Sequence, residues 1–342
     1  MRSPMTLTRL ATSVAALTLS LAGTASAAKL PLCVFDISGA NGDTFTAAKE
    51  YQTAALAWGV DFELKPYSNE KAAADDLRAG KCKAALITGV RARQFNAFTG
   101  SIEAIGGIPD YDVLKSVMRQ VQDPKNATRL ASHLKSGEFE VAGLFPIGGV
   151  YLFVKDKSTN TKEKLAGKKI ATLDYDQAAV VMVDVAGASM ASADITNFAG
   201  MFNNGAVDAC YAPAAAYKPL ELQKGLKSAG GVIRLPLAML SVQLIIRSAD
   251  VPADFAVKSR EYAFSKFPNM IALAKKAEAG IPASYWIEVV AADKDRYEQL
   301  FQDVRVRLRD KEKVFHKDML RMMLNARCAK DKNRAECAAK RE

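Results

Sequence analysis

Apolar and polar positions follow two rhythms along this chain. A short apolar run, Leu30 to Phe35, precedes the polar, glycine-containing loop DISGANGD. Alanines and aromatics then fall at helical spacing from Thr44 to Trp58, and Val60 to Lys65 alternates apolar with polar. Spacings of three and four mark helices and a period of two marks strands, so this opening predicts a βαβ unit. Ser68 is placed to cap a helix running through Leu77, Gly80 to end it, and CKAALITG to supply another strand before GVRARQF starts a helix. Two more helices are expected around Asp110 to Gln122 and Asn126 to Leu134.

The most regular stretch runs from Gly167 to Pro219. It reads as strand, polar loop, helix, short strand, helix, strand and a proline-marked turn. Such alternation produces a mostly parallel open sheet, whose ligands settle outside the carboxyl ends of the strands. Asp174, Tyr175 and Asp176 after one strand and Tyr211 at the end of another would then line one cleft, with Asp176 as the helix cap. In the following helix Ala179, Met182, Val183 and Ala186 lie at i, i+3, i+4 and i+7, an apolar face for packing on the sheet.

Two segments can carry the chain between lobes. FEVAGLFPIGGVYLFVKD reads as two apolar strands around Pro146 and Gly148-Gly149, where glycines absorb dihedral change. GVIRLPLAMLSVQLIIRS places Pro236 between two strands, the second a buried apolar run. The expected division is a leader at 1–27, one lobe from 28–146 with 242–342, and a second lobe at 147–241. Past Asp250 the chain turns helical: Asp254 would cap a helix through Phe267, and Asp293 to Asp310 puts Tyr297, Leu300, Phe301, Val304 and Leu308 on one face. Met319, Met322 and Met323 read as core, and KDKNRAECAAKRE as an exposed polar tail.

Export changes the picture. Arg2 and Arg9, an apolar run from Leu10 to Ala22 and Ala25-Ser26-Ala27 describe a secretory signal cut after Ala27. Of the net charge of +10 over 342 residues, two charges belong to that leader. The remainder is spread through mixed-sign runs, which argues against nucleic acid as a partner. In an oxidising compartment four of the five cysteines pair on topology: Cys33 in the first strand with Cys82 entering the third, and Cys328 with Cys337 across a short polar loop. Cys210 is left as an apolar strand residue.

Candidate chemistry is sparse. The chain has no GxxxxGK[ST], GxGxxG, HExxH, GxSxG or CxxC motif and only two histidines, His133 and His316, neither at a strand end. No cofactor, metal or enzymatic activity is expected. Arg91 and Arg93 stand beyond the carboxyl end of a strand, either as anion or carbonyl contacts in the cleft or as solvated helix charges.

The segments LAGKKIATLDYDQAAV, ADITNFAGMFNNGAVDACYAPAAAYKPLE and LSVQLIIRS resemble the second lobe of periplasmic solute-binding proteins of tripartite ATP-independent (TRAP) transporters. VFD, ITGVRARQFNAFTGSIEAIG, DYD and PAAAYKPLE together are similar to a family of solute-binding proteins, some labelled as efflux-pump components linked to aminoglycoside resistance. The resemblance implies a two-lobed α/β type II periplasmic-binding-protein fold with two mixed sheets, hinge strands and bracing C-terminal helices. It implies a monomer that captures a small polar molecule for an inner-membrane transporter subunit, or alternatively an accessory component of an RND-type efflux assembly. Where TRAP proteins usually place a carboxylate-clamping arginine this chain has Ala171. Arg91 or Arg93 could supply that clamp from the other lobe, or Asp36, Asp174 and Asp208 could suit a cationic or polyhydroxyl ligand.

Overall fold

The computed structural model describes residues 29–342. The leader expected at 1–27 lies outside the described residues. Eleven strands form the sheet: β1 (Leu30–Phe35), β2 (Phe62–Tyr67), β3 (Ala84–Thr88), β4 (Lys135–Ser136), β5 (Phe139–Val154), β6 (Lys169–Leu173), β7 (Ser189–Ala193), β8 (Ala209–Pro213), β9 (Gly231–Ile233), β10 (Ala238–Arg247) and β11 (Trp286–Ile287). The main order is β2-β1-β3-β10-β5-β8-β6-β7. Strands β1, β2 and β3 are mutually parallel, as are β6, β7 and β8. Between the two groups run β10 and β5, antiparallel to each other and to their outer neighbours.

Those two strands unite the halves. β10 pairs with β5 from Arg247 opposite Phe139 to Ala238 opposite Val150, so the sheets expected in the two lobes are one continuous hydrogen-bonded path. The apolar segment around Pro146 is thus one 16-residue strand rather than two. Pro146 faces Ser241, where the register of β10 shifts between Leu240 and Ser241. Gly148 has a φ of +126°, and a Cβ there would stand 2.9 Å from that of Ala274. Close approach of the helix Phe267–Ala279 therefore demands a glycine at this point.

Period-two patterning divides the core cleanly. In β1 Cys33 and Phe35 enter one apolar cluster while Leu32 and Val34 enter another on the opposite face. In the other half Cys210 and Ala212 lie in a third cluster with Phe153, Phe198 and Phe202. Cys210 is buried and unbridged, and burial pushes its thiol far up, which removes it as a nucleophile. The expected disulfides are both present, with Cα separations of 5.9 Å for Cys33–Cys82 and 5.7 Å for Cys328–Cys337.

Helix boundaries follow local chemistry. Asn69 rather than Ser68 caps Glu70–Arg78, its side chain accepting from the Ala72 N–H. The helix expected from Asp254 through Phe267 ends at Ser265, and Pro268 sits in the first turn of a further helix, Phe267–Ala279. The helix Ala291–Asp310 buries the expected face of Tyr297, Leu300, Phe301, Val304 and Leu308, and Met319 and Met323 are core. The tail departs from expectation. Arg305 and Arg327 are buried and take their acceptors from it: Glu336 lies 2.7 Å from Arg327 Nε and Glu342 lies 2.8 Å from Arg305 Nε. Burial alone would raise the Glu336 carboxyl, but Arg327 and Arg305 hold it at about 2. A tail read as exposed is clasped because two desolvated guanidiniums need its carboxylates.

Candidate functional site

A cavity of about 160 Å³ opens where the carboxyl ends of β3, β6 and β8 meet the crossing strands. Thr88 contributes from the end of β3, Leu173 from the end of β6, Tyr211 from β8, and Val150 and Leu240 from β5 and β10. Its walls are chiefly aliphatic. Ala179, Met182, Val183 and Ala186, the apolar face of the helix Gln177–Val185 and its cap, line the cavity together with Ile170 and Ala171.

Polar groups gather at one end. Glu70, Thr88 and Glu103 come from the N-terminal half, and Tyr175, Asp176 and Tyr211 from the other. Contacts bridge the two halves. Arg93 Nη1 donates to Asp176 Oδ1 at 3.1 Å, and the Arg91 guanidinium lies 3.6 Å from the centroid of the Tyr175 ring. Asp176 also caps its helix, accepting from the Ala178 N–H. The Tyr211 hydroxyl accepts from the Leu173 N–H at 2.9 Å, and burial raises the pKa of both Tyr175 and Tyr211.

Four of the anticipated site residues, Arg91, Arg93, Tyr175 and Tyr211, therefore meet at the cleft. The other three sit elsewhere. Asp36 accepts from the backbone N–H groups of Ser38, Thr44 and Phe45 and so holds the start of the helix Asp43–Leu56. A Cβ on Gly42 would fall 1.8 Å from its Oδ1, which explains that glycine. Asp174 is exposed with Ser192 Oγ at 3.3 Å, and Asp208 accepts from the Lys169 N–H at the far end of β6.

Two cavity residues escaped the sequence reading. Glu70 is fully buried, with Oε1 accepting from the Thr88 N–H and Oε2 3.8 Å from Arg91 Nε. Glu103 is 4% exposed, and its Oε1 accepts from the Ser241 N–H at 2.7 Å and from the Ser241 hydroxyl at 2.8 Å. Burial pushes the Glu103 carboxyl up to about 7 against the downward pull of Ser241 and Arg93. A Cβ on Gly89 would stand 2.2 Å from Glu103 Oε1, so a glycine gives this acid its room. The one available signal was a glutamate set in the apolar run SIEAIGG.

The two histidines also find each other, outside the cleft. His133 Nε2 is 3.1 Å from Asp318 Oδ2, and His316 caps the helix Lys317–Lys330 through the Asp318 N–H. Burial lowers the pKa of His316.

Residues 53–342 match the family model described as solute-binding protein AdeT 1/2. The chain belongs to this family. A curated relative from Acinetobacter baumannii, "Probable solute-binding protein AdeT1", is 37% identical over 305 residues, 89% of this chain and 99% of that one. The fold is that of TRAP periplasmic solute-binding proteins. One from Desulfovibrio salexigens with bound orotic acid superposes with a TM-score of 0.68 at 13% identity, covering 88% of this chain and 99% of the other. Another from Desulfovibrio desulfuricans with bound sn-glycerol-3-phosphate gives 0.69 at 14% identity, covering 87% and 97%. This AdeT-family chain is a solute-binding protein, and Ala171 lies on its cavity wall. Among the described residues, no helix is long and apolar enough to cross a membrane.

Proposed function

We propose that this AdeT-family protein works in the periplasm as a monomer, capturing a small molecule between two lobes and passing it to an inner-membrane transporter subunit. The lobes are residues 28–146 with 242–342 and residues 147–241, and residues 1–27 act as a cleaved leader. The observation that carries the reading is the cavity at the strand ends, spanned by Arg93 to Asp176 and by Arg91 to Tyr175. These contacts join groups from both sides, so a solute held there favours the closed arrangement through contacts an open cleft lacks. Hinge bending falls on β5 and β10, the strands that cross between the halves. The protein works by binding its solute, a role that fits its membership of a solute-binding family.

A thermal-shift screen of carboxylates, amines, sugars and apolar neutral compounds tests capture. A true solute at 100 times its Kd stabilises by about 2.7 kcal/mol. The same compound should lose its effect when Ala171→Trp fills the cavity. A screen without any stabilising compound, combined with co-purification of an inner-membrane pump, would defeat capture and favour the efflux-accessory role.

A further inference from the structure

The cavity's charge complement is one-sided. Among the described residues its lining includes three carboxylates, Glu70, Glu103 and Asp176, and no lysine, arginine or histidine. Asp176 is already satisfied by Arg93 and by a helix N–H. Glu70 and Glu103 are each buried, and each leaves its Oε2 without a hydrogen-bond partner. Among the described residues no cation lies within ion-pair distance of Glu103, whereas Glu70 has Arg91 only at 3.8 Å. Buried acceptors without donors are costly, and a ligand that supplies a donor recovers that cost.

We propose that the solute is an apolar molecule with a cationic head, an alkyl or arylalkyl ammonium, whose N–H groups meet Glu103 and Glu70 while its body fills the aliphatic walls. This deepens the proposed function and rests on it. Size sets the body. A cavity of about 160 Å³ matches the engineered apolar cavity of about 150 Å³ that takes up benzene, so a ring or a chain of about six carbons fits. A ligand carboxylate would face three acids, and no guanidinium lines the cavity to receive it: Arg93 is engaged by Asp176 and Arg91 lies over Tyr175. The groups facing Glu103 are Ser241, Arg93 and Asp176, with Gln243 Nε2 beside Gly89. An arriving ammonium therefore meets an acid near neutrality and drives its proton off to buffer.

The test uses isothermal titration of the mature protein with 2-phenylethylammonium and hexylammonium, their carboxylate counterparts 3-phenylpropanoate and hexanoate, and neutral 1-hexanol. The ammonium compounds should bind and the others bind at least tenfold more weakly. Titrations in buffers of different ionisation enthalpy should show proton release. Glu103→Gln should weaken ammonium binding roughly 10- to 100-fold, the loss of one charge-assisted hydrogen bond, and diminish the proton release. Ala171→Arg, which leaves Glu103 in place, should cut ammonium binding and admit the carboxylates. Tighter binding of a carboxylate than of its ammonium counterpart by the unaltered protein would overturn the proposal while leaving solute capture standing. Ammonium binding unchanged in Glu103→Gln would overturn it too. A protein that binds none of these and no compound of the wider screen loses both readings.

Discussion

Replacing Glu103 by glutamine isolates the cost of holding one acid inside the cavity wall. A free glutamate titrates near 4.5, and this one near 7 in the fold. Between those values the folded protein holds a proton that the unfolded chain has released. Stability attributable to Glu103 is therefore fully present below the unfolded value and falls as pH climbs toward the folded one. At about 1.4 kcal/mol per pH unit the whole rise is worth about 3 kcal/mol, most of it expressed between about pH 5 and about pH 8. Glu103→Gln keeps an oxygen for the Ser241 N–H and hydroxyl and discards the titration. Urea unfolding of both proteins across that range, followed by circular dichroism, gives two stability curves. Groups they share, such as His316 and Asp318, cancel in the difference. The variant should gain roughly 2 to 3 kcal/mol on the unaltered protein from the acid end of the range to the basic end. Parallel curves would refute the claim that burial governs this carboxyl.

Breaking the Cys33–Cys82 bridge by Cys33→Ala releases a loop with a sequence separation of 49 and should cost about 4 kcal/mol by chain entropy, read from urea midpoints with and without reductant. Equal midpoints would mean that the bridge constrains nothing. Arg93→Ala leaves Asp176 without its cation in a site where both side chains are 11% exposed, a loss of about 3 to 5 kcal/mol for the closed arrangement. Small-angle scattering should register a larger radius of gyration in this variant, and an unchanged profile would remove the pair from any role in closure.

How far the sequence could be read depended on the range of each interaction. Period-two runs such as Leu30 to Phe35 and the 3.6-spaced face of Ala291–Asp310 expose their partners locally, so the elements, the parallel groups and both disulfides were accessible from residue order. Strand ends also directed attention to Arg91, Arg93, Tyr175 and Tyr211. Glu103 was hidden because its anchor, Ser241, lies 138 positions away. Glu70 opens a charged helix, NEKAAADDLR, and nothing local distinguishes a buried acid from a solvated one there. Asp36, Asp174 and Asp208 are loop acids near sheet ends, a pattern that fits a polar guest, yet Asp36 and Asp208 accept from backbone N–H groups instead. The histidine pair and the clasped tail likewise depend on contacts between distant segments, His133 with Asp318 at a separation of 185.

The register shift in β10 falls between Leu240 and Ser241, and Ser241 is the residue that fastens Glu103. Flexing of the strand at that joint would move the acid's anchor, and water admitted there would return its carboxyl toward the ordinary range. Proton uptake and cleft geometry then become two readouts of one equilibrium, each biasing the other by the same amount. An acidified surrounding would tighten the empty protein's grip on its own shut form, and a neutral one would ease it.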